Sequence, residues 1–320
     1  MLLNQTAEKI RSMEIRGAGR IARAAAEALK DRAGRLETDD LDLFRREMGR
    51  AAETLVSTRP TAVSLPNAVR TVMRGMNGAT TVREARDGLT DAADSFVLAS
   101  EHAVERIGEI GARHIADGDV VLTHCNSEAA LACILAAHRE GKEIEVFATE
   151  VRPRNQGLLT IRTLNDAGIR TNFIVDSAVR SFINDVDLVV TGADAITVNG
   201  AVVNKIGTAQ IALAAHEART NLVVAAETYK FAPRTILGER IAIEERNAAE
   251  VLDPAIAASL PNVRVRNPAF DVTPARYVDL IVTEMGAIPP QMAYCIIRDH
   301  LGWDISDFQK AFEIDEKNQE

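Results

Sequence analysis

After residue 115 the chain breaks into short, continuous apolar runs, and nothing else in the sequence narrows its fold so far. The runs are VVLTH (120–124), IEVFAT (144–149), RTNFIV (170–175), DLVVTG (187–192), NLVVAA (221–226) and YVDLIVT (277–283). A strand with one wet face alternates apolar and polar residues, whereas a continuous run fits a strand covered on both faces. The segments between the runs are long enough for helical crossovers. Together they predict a doubly wound, mostly parallel, Rossmann-like sheet. RIAIEE (240–245) and NVRVRNP (262–268) are expected as further strands or edge pieces.

Residues 1–115 carry no comparable strand signal and are expected to be helical almost throughout. Asn4 or Thr6 offers a cap for a first short helix, and the Ala-rich stretch 17–30 favours a second. Thr38-Asp39-Asp40 supplies an N-cap for a third, which ends near Pro60 because proline pushes Arg59 out of the α region. Pro66 suits the first turn of the next helix, and residues 81–115 form one or two long amphipathic helices. The class is therefore α/β: a helical N-terminal domain, residues 1–115, and a Rossmann-like α/β domain, residues 116–320.

Composition removes several classes of function. The net charge of −9 and an aromatic content of 4% disfavour a nucleic-acid reader, which needs a basic face and stacking rings. Three cysteines, Cys125, Cys133 and Cys295, are too few and too scattered for a disulfide framework or a zinc site. The expected setting is reduced and cytoplasmic. The first residues, MLLNQTAEKIRSMEIRGAG, lack the apolar core of a signal peptide, and no run reaches the roughly 18 apolar residues of a membrane span.

Ligands of doubly wound sheets bind outside the carboxyl ends of the strands, so those ends hold the candidate chemistry. The first ends in His124, Cys125, Asn126 and Ser127; the second in Glu150, Arg152, Arg154 and Gln156; the fourth in Gly192, Ala193 and Asp194; the fifth in Glu227, Thr228, Tyr229 and Lys230. Neither GxGxxG nor a Walker sequence occurs, so no nicotinamide or nucleoside-triphosphate site is assigned. Cys125 reads either as a small buried residue or as a reactive thiol whose pKa a following helix lowers. Asp194 reads either as a turn or cap residue or as a proton-transfer group. Asn199-Gly200 marks a tight turn that returns Asn204, Lys205 and Thr208 beside Asp194, and the helix opening at Thr208 offers its N-terminus to a phosphate. Arg16-Gly17-Ala18-Gly19 also precedes a helix, and Pro60 holds Arg59 extended. Taken singly, each cation reads as a solvated surface charge, the usual case.

Taken together, RGAG (16–19), TRPTAVSLPNA (58–68), THCNS (123–127), ATEVRPRNQG (148–157), GADAITVNGAVVNKIGT (192–208) and NPAFDVTP (267–274) are more specific than any one alone. In this order they resemble the superfamily that joins sugar-phosphate aldose–ketose isomerases to regulatory subunits of the initiation-factor nucleotide exchanger. Within it the chain most resembles the archaeal ribose-1,5-bisphosphate isomerases, over nearly its whole length. The 5-methylthioribose-1-phosphate isomerases share the Cys and Asp but carry a longer motif, roughly RGAPAIG, where this chain has RGAGRIA. A non-catalytic regulatory subunit is the third reading, and the presence of both Cys125 and Asp194 argues against it.

The resemblance implies isomerisation of a sugar bisphosphate with Cys125 as base and Asp194 as acid. It implies that Arg16, Gly17, Ala18, Gly19, Arg59, Asn204, Lys205 and Lys230 bind the substrate, with no metal or redox cofactor. It further implies a homo-oligomer, dimer or hexamer, activation by AMP, and a place in AMP and nucleoside salvage that feeds Rubisco. A thiolate and a protonated carboxyl are the starting states expected of the pair.

Overall fold

The computed structural model describes residues 3–15, 17–59 and 62–303. Arg16 of the RGAG motif and Pro60-Thr61 of the TRPTA motif lie outside the described residues. The chain divides into two compact units, one of residues 1–103 with 229–231, the other of residues 104–228 with 232–320.

The first unit is helical. Its helices are α1 (Leu3–Arg11), α2 (Ala18–Arg35), α3 (Leu41–Val56) and α4 (Ser64–Arg74), together with the first part of α5 (Val82–Ala112). Asn4 and Thr6 do not cap α1, because the helix already begins at Leu3 and Thr6 is buried within it. Asp40 does cap α3, its carboxylate accepting from the Asp42 and Leu43 N–H groups at 2.9 and 3.0 Å. On α2, Ala22, Ala25, Ala26, Leu29 and Ala33 recur at three- and four-residue spacing and share one core with Leu65, Ala68, Val69 and Val72 of α4. A strip of alanines lets the two helix backbones approach closely.

Tyr229–Phe231 belongs to this helical unit although its neighbours in sequence do not. The buried Asn67 amide donates to the carbonyls of Tyr229 (2.9 Å) and Phe231 (2.7 Å), and Ser100 Oγ donates to the Tyr229 hydroxyl (3.2 Å). These bonds pin Lys230 between two anchored residues.

The second unit is built on a seven-stranded sheet. In chain order its strands are β1 (Val120–His124), β2 (Glu145–Thr149), β3 (Arg170–Ile174), β4 (Leu188–Gly192), β7 (Asn221–Ala225), β9 (Leu280–Thr283) and β10 (Gly286–Ile288). The short strands β5 (Ala195–Thr197), β6 (Val202–Lys205) and β8 (Phe270–Thr273) form an antiparallel ribbon, β6 pairing with both others. Across the large sheet the order is β10-β9-β7-β4-β1-β2-β3, parallel throughout except at the β9–β10 edge. Every apolar run named above lies in one of its parallel strands.

Helices α6 (Glu128–Arg139), α7 (Gly157–Asp166) and α9 (Thr208–Ala218), with the single turn α8 (Val179–Phe182), make the crossovers. The end of α5 packs on α6 through Gly108 and Gly111, where a Cβ would overlap Ala132 and Cys133 respectively. Residues 240–245 and 262–268 are not strands: they meet in a single bridge, Glu245 to Pro268. Pro268 has no N–H with which to extend a ladder, and Arg240, Glu245, Val263 and Arg264 stay exposed. No described helix is long and apolar enough to cross a membrane.

The two kinds of glycine predict opposite outcomes. Gly111→Ala forces a methyl into Cys133 and costs about 1–3 kcal/mol. Gly49→Ala, within α3 and facing open space, adds about 0.5–1 kcal/mol of stability. Urea denaturation midpoints check both; a shift in the same direction for the two contradicts this packing.

Candidate active site

The strand order reverses between β1 and β4: the chain runs β1, β2, β3 to one side, then crosses back to place β4 on the other side of β1. Adjacent crossovers there leave in opposite directions and open a crevice at the carboxyl ends. β1 ends in His124, and the chain turns away through Cys125 at φ +68°. A left-handed conformation in a non-glycine residue costs about 1–2 kcal/mol and persists only where its surroundings enforce it.

His124 provides much of that enforcement. The residue is 1% exposed, with Nδ1 2.6 Å from Thr149 Oγ1 and Nε2 2.9 Å from the Ile206 carbonyl. A carbonyl can only accept, so Nε2 carries the proton and the Thr149 hydroxyl donates to Nδ1. Burial pushes the ring's pKa down, against the upward pull of the Ile206 carbonyl and of Asp176. The neutral ring thus ties together the ends of β1, β2 and β6. Gly207 completes the fit, since a Cβ there would press on the imidazole. Asp176 fixes the loop after β2, its two oxygens accepting from the Val151 and Arg152 N–H groups at 2.8 Å each.

Cys125 is half-buried, its Sγ 3.6 Å from Gln156 Oε1. Its carbonyl accepts from Thr160 Oγ1 at 2.8 Å. The thiol pKa is not lowered, as position before α6 had suggested, but pushed up to about 11. Burial is the main cause; Lys205, the Asn126 N–H and Arg246 pull it down, and Asp194 pushes it further up. The helix contributes little because Ser127, not Cys125, caps α6, its Oγ accepting from the Ala130 N–H at 3.3 Å. At neutral pH the thiol in this arrangement is protonated.

Asp194 follows the end of β4. Gly192 just before it has no room for a Cβ because the Ser127 side chain occupies that space, so the THCNS and TGAD turns lie against each other. The Asp194 N–H donates to the Val203 carbonyl (2.9 Å), and the hairpin closes through Gly200 at φ +78°, its N–H donating to Thr197. This returns Asn204 and Lys205 beside Asp194. The buried Asn204 amide donates to Thr208 Oγ1 (3.0 Å), which donates to the Lys205 carbonyl (2.7 Å). Lys205 is 8% exposed, with Nζ 4.6 Å from the Phe270 ring centre. Burial lowers its pKa; Arg246 lowers it further, while Cys125, Asp194 and Glu244 pull it up. Cys125, Asp194, Lys205 and Arg246 therefore feel one another's charge.

The N-terminus of α9 is not open to a phosphate. Asp271 Oδ2 accepts from the Gly207 and Ala209 N–H groups at 2.8 and 3.1 Å, so a carboxylate of the chain already occupies it. A second anion there would be repelled. A small pocket of about 10 Å³ lies among Arg152, Arg154, Gln156, Lys205, Arg246 and Asn267; neither Cys125 nor Asp194 lines it. Arg246 was missing from the sequence candidates. It stands in IAIEERNAAE, where a lone basic residue after two acids gives no motif to recognise.

The remaining candidates belong to the helical unit. Gly17 precedes α2 at φ +93°, and Ala18 and Gly19 form its first turn. Ser64 Oγ at the start of α4 donates to the Ala18 carbonyl at 3.4 Å, and the Arg59 guanidinium reaches Met13 Sδ. Lys230, 8% exposed, lies in the turn that Asn67 holds. Ala18 and Ser64, and Met13 and Arg59, are thus neighbours within that unit.

The raised thiol pKa predicts slow alkylation of the unliganded protein. In a Cys295→Ser background at pH 8, iodoacetamide should label Cys125 about a hundred-fold more slowly than an unperturbed thiol, with the rate climbing towards pH 11. Lys205→Met should slow it further. Rapid labelling that levels off below pH 8 contradicts this site.

Residues 14–290 match the initiation factor 2 subunit family. The chain is 54% identical to the ribose 1,5-bisphosphate isomerase of Methanocaldococcus jannaschii, over 94% of this chain and 96% of that one. It is 37% identical to the methylthioribose-1-phosphate isomerase of Acetivibrio thermocellus, over 89% and 88%. Among solved structures it is similar to a Pyrococcus horikoshii protein described as translation initiation factor eIF-2B, with a TM-score of 0.76 and 35% identity over 90% of this chain and 97% of that one. Sheet order, crevice and near full-length similarity agree, and the chain belongs to the initiation factor 2 subunit family.

Proposed function

We propose that the protein is an intramolecular aldose–ketose isomerase that converts α-D-ribose 1,5-bisphosphate into D-ribulose 1,5-bisphosphate. The observation that carries this reading is the Cys125–Asp194 pair at the strand-order reversal, set among cations, in a chain 54% identical to an isomerase of that name. The identity to the methylthioribose-phosphate relative is lower, at 37%. The proposal extends to AMP and nucleoside salvage as the source of substrate, Rubisco as consumer of product, activation by AMP, and assembly as a homo-oligomer, dimer or hexamer.

The reaction moves the C2 hydrogen to C1 and opens the ring. A phosphate on the C1 oxygen blocks opening to a free aldehyde, so the ring oxygen must be protonated as its bond to C1 breaks. Asp194 donates that proton. Cys125, as thiolate, removes the C2 proton and leaves an enol between C1 and C2. The thiol then returns a proton to C1, and Asp194 takes the O2 proton as the ketone forms. Atoms and charges close, and each group ends in its starting state.

The shifted thiol pKa makes the coupling between the two groups specific. A charged Asp194 raises the thiol's pKa, so a protonated Asp194 lowers it, with Lys205 and Arg246 acting in the same direction. The reactive form therefore has its proton on Asp194 rather than on Cys125. This form is a minor one in the arrangement described, and substrate binding must select it. In the helical unit, Gly17–Gly19, Arg59 and Lys230 supply backbone N–H groups and cations of the kind a sugar phosphate needs.

Purified protein assayed with ribose 1,5-bisphosphate and with 5-methylthioribose 1-phosphate should turn over the first. Cys125→Ser and Asp194→Asn should each lower kcat by at least about a hundred-fold with melting temperatures near wild type. Turnover of 5-methylthioribose 1-phosphate alone reverses the substrate assignment. Turnover of neither, with nucleotide binding retained, points to a regulatory subunit.

A further inference from the structure

His124 has no step in the proposed reaction, yet its ring bridges two residues that do meet through their charges. It immediately precedes Cys125, and Ile206, whose carbonyl accepts its Nε2–H at 2.9 Å, immediately follows Lys205. One side chain thus joins the backbone neighbours of thiol and ammonium. The other ring nitrogen accepts from Thr149 Oγ1 at 2.6 Å, so the imidazole is held at both ends. Asp176 lies 4.0 Å from Nδ1, but its oxygens already accept from two backbone N–H groups, and burial outweighs its pull on the ring.

Each end of this bridge is also fixed independently of the ring. On the Lys205 side, the Ile206 N–H donates to the Ala269 carbonyl (3.1 Å), and Asp271 accepts from the Gly207 and Ala209 N–H groups. Gly207, at φ +106°, leaves the space that the ring fills: a Cβ there would lie 3.0 Å from Cε1 and 3.1 Å from Nε2. On the Cys125 side, β1 pairs with β2 and β4, His124 lying opposite Thr191, and Thr160 Oγ1 donates to the Cys125 carbonyl. The His124 side chain has no exposed surface, so any change in its length is taken up by the backbone it joins. Thiolate and ammonium favour each other here, and that attraction falls with separation.

We infer that His124 is a positioning residue: its neutral ring sets the separation between the Cys125 thiol and the Lys205 ammonium, and so how strongly Lys205 favours the thiolate. A glutamine can copy the two bonds, its carbonyl accepting from Thr149 and its amide donating to Ile206. A leucine fills the volume and makes neither. The inference rests on the function proposed above for the proton that the thiolate removes, but not for the coupling of thiol to ammonium.

The test is a double-mutant cycle read by iodoacetamide labelling of Cys125 at pH 8, in the Cys295→Ser background, with thermal melting to confirm folding. With His124 present, Lys205→Met should slow labelling about three- to ten-fold. With His124→Leu the same Lys205→Met change should slow it by less than about two-fold, and with His124→Gln the larger ratio should return. A merely structural histidine would alter melting and leave the ratio unchanged. An equal ratio in wild type and His124→Leu overturns the inference, as does a ratio lost equally in the Leu and Gln variants. If His124→Leu does not fold, Thr149→Val removes the donor to Nδ1 alone, and an unchanged ratio there overturns the inference equally. With ribose 1,5-bisphosphate, His124→Leu should lower kcat about thirty-fold or more, and His124→Gln should hold it within about ten-fold of wild type. The labelling ratios need no substrate: if they behave as expected in a protein that does not turn over the bisphosphate, the positioning role stands and the proposed substrate is removed.

Discussion

The reversal of strand order between β1 and β4 is the constraint from which the site follows. A parallel sheet covered on both faces must discharge its polar chemistry at its strand ends, and only where neighbouring crossovers diverge does a crevice open. Two contacts hold the crevice in shape. Ser127 fills the space beside Gly192, joining the turn after β1 to the turn after β4. His124 spans from Thr149 to the Ile206 carbonyl, joining β1, β2 and the ribbon that carries Lys205. Cys125 sits between these ties, and its left-handed backbone is the local strain they sustain. Replacing the imidazole with an apolar ring would leave Thr149 and the Ile206 carbonyl unpaired in a buried place, which costs more than the lost bonds themselves.

Enclosure decides the electrostatics. The same walls that exclude water from Cys125 raise its pKa and lower that of Lys205, so both are driven towards neutrality. Cation and thiol oppose that drive in each other, and Asp194 sets the balance between them. The proposed acid–base pair is therefore not two independent groups with fixed assignments. It shares protons across a cleft whose charge changes when an anion enters. Asp271 matters here for a different reason: it occupies the N-terminus of α9, its carboxylate accepting from the Gly207 and Ala209 N–H groups.

The parallel sheet was legible because each strand is a continuous apolar run, and Asp194 could be placed beside Lys205 because a short Asn-Gly turn joins their segments. Other features depend on partners distant in sequence. Asp271 reaches Gly207 from 64 residues away, and nothing in NPAFDVTP signals a helix cap. The thiol's pKa depends on burial, which raises it against the pull of Lys205 and Arg246, and position before a helix does not reveal that. Lys230 does follow the end of β7, but the bonds from Asn67, more than 160 residues earlier, that hold its flanks leave no trace in the local sequence. RIAIEE and NVRVRNP had the alternation of strands, but Pro268 interrupts the ladder they would need.

The central claim is that Cys125 removes the C2 proton as a base in contact with exchangeable hydrogen. The most direct measurement is isomerisation of ribose 1,5-bisphosphate deuterated at C2, in ordinary water, with the product's C1 followed by NMR. A thiol that accepts the deuteron can exchange it with solvent before returning a proton, so the account predicts protium at C1 in a measurable fraction of product, with slower turnover than for unlabelled substrate. Complete transfer of the deuterium to C1, at a rate that Cys125→Ser leaves near normal, would contradict it.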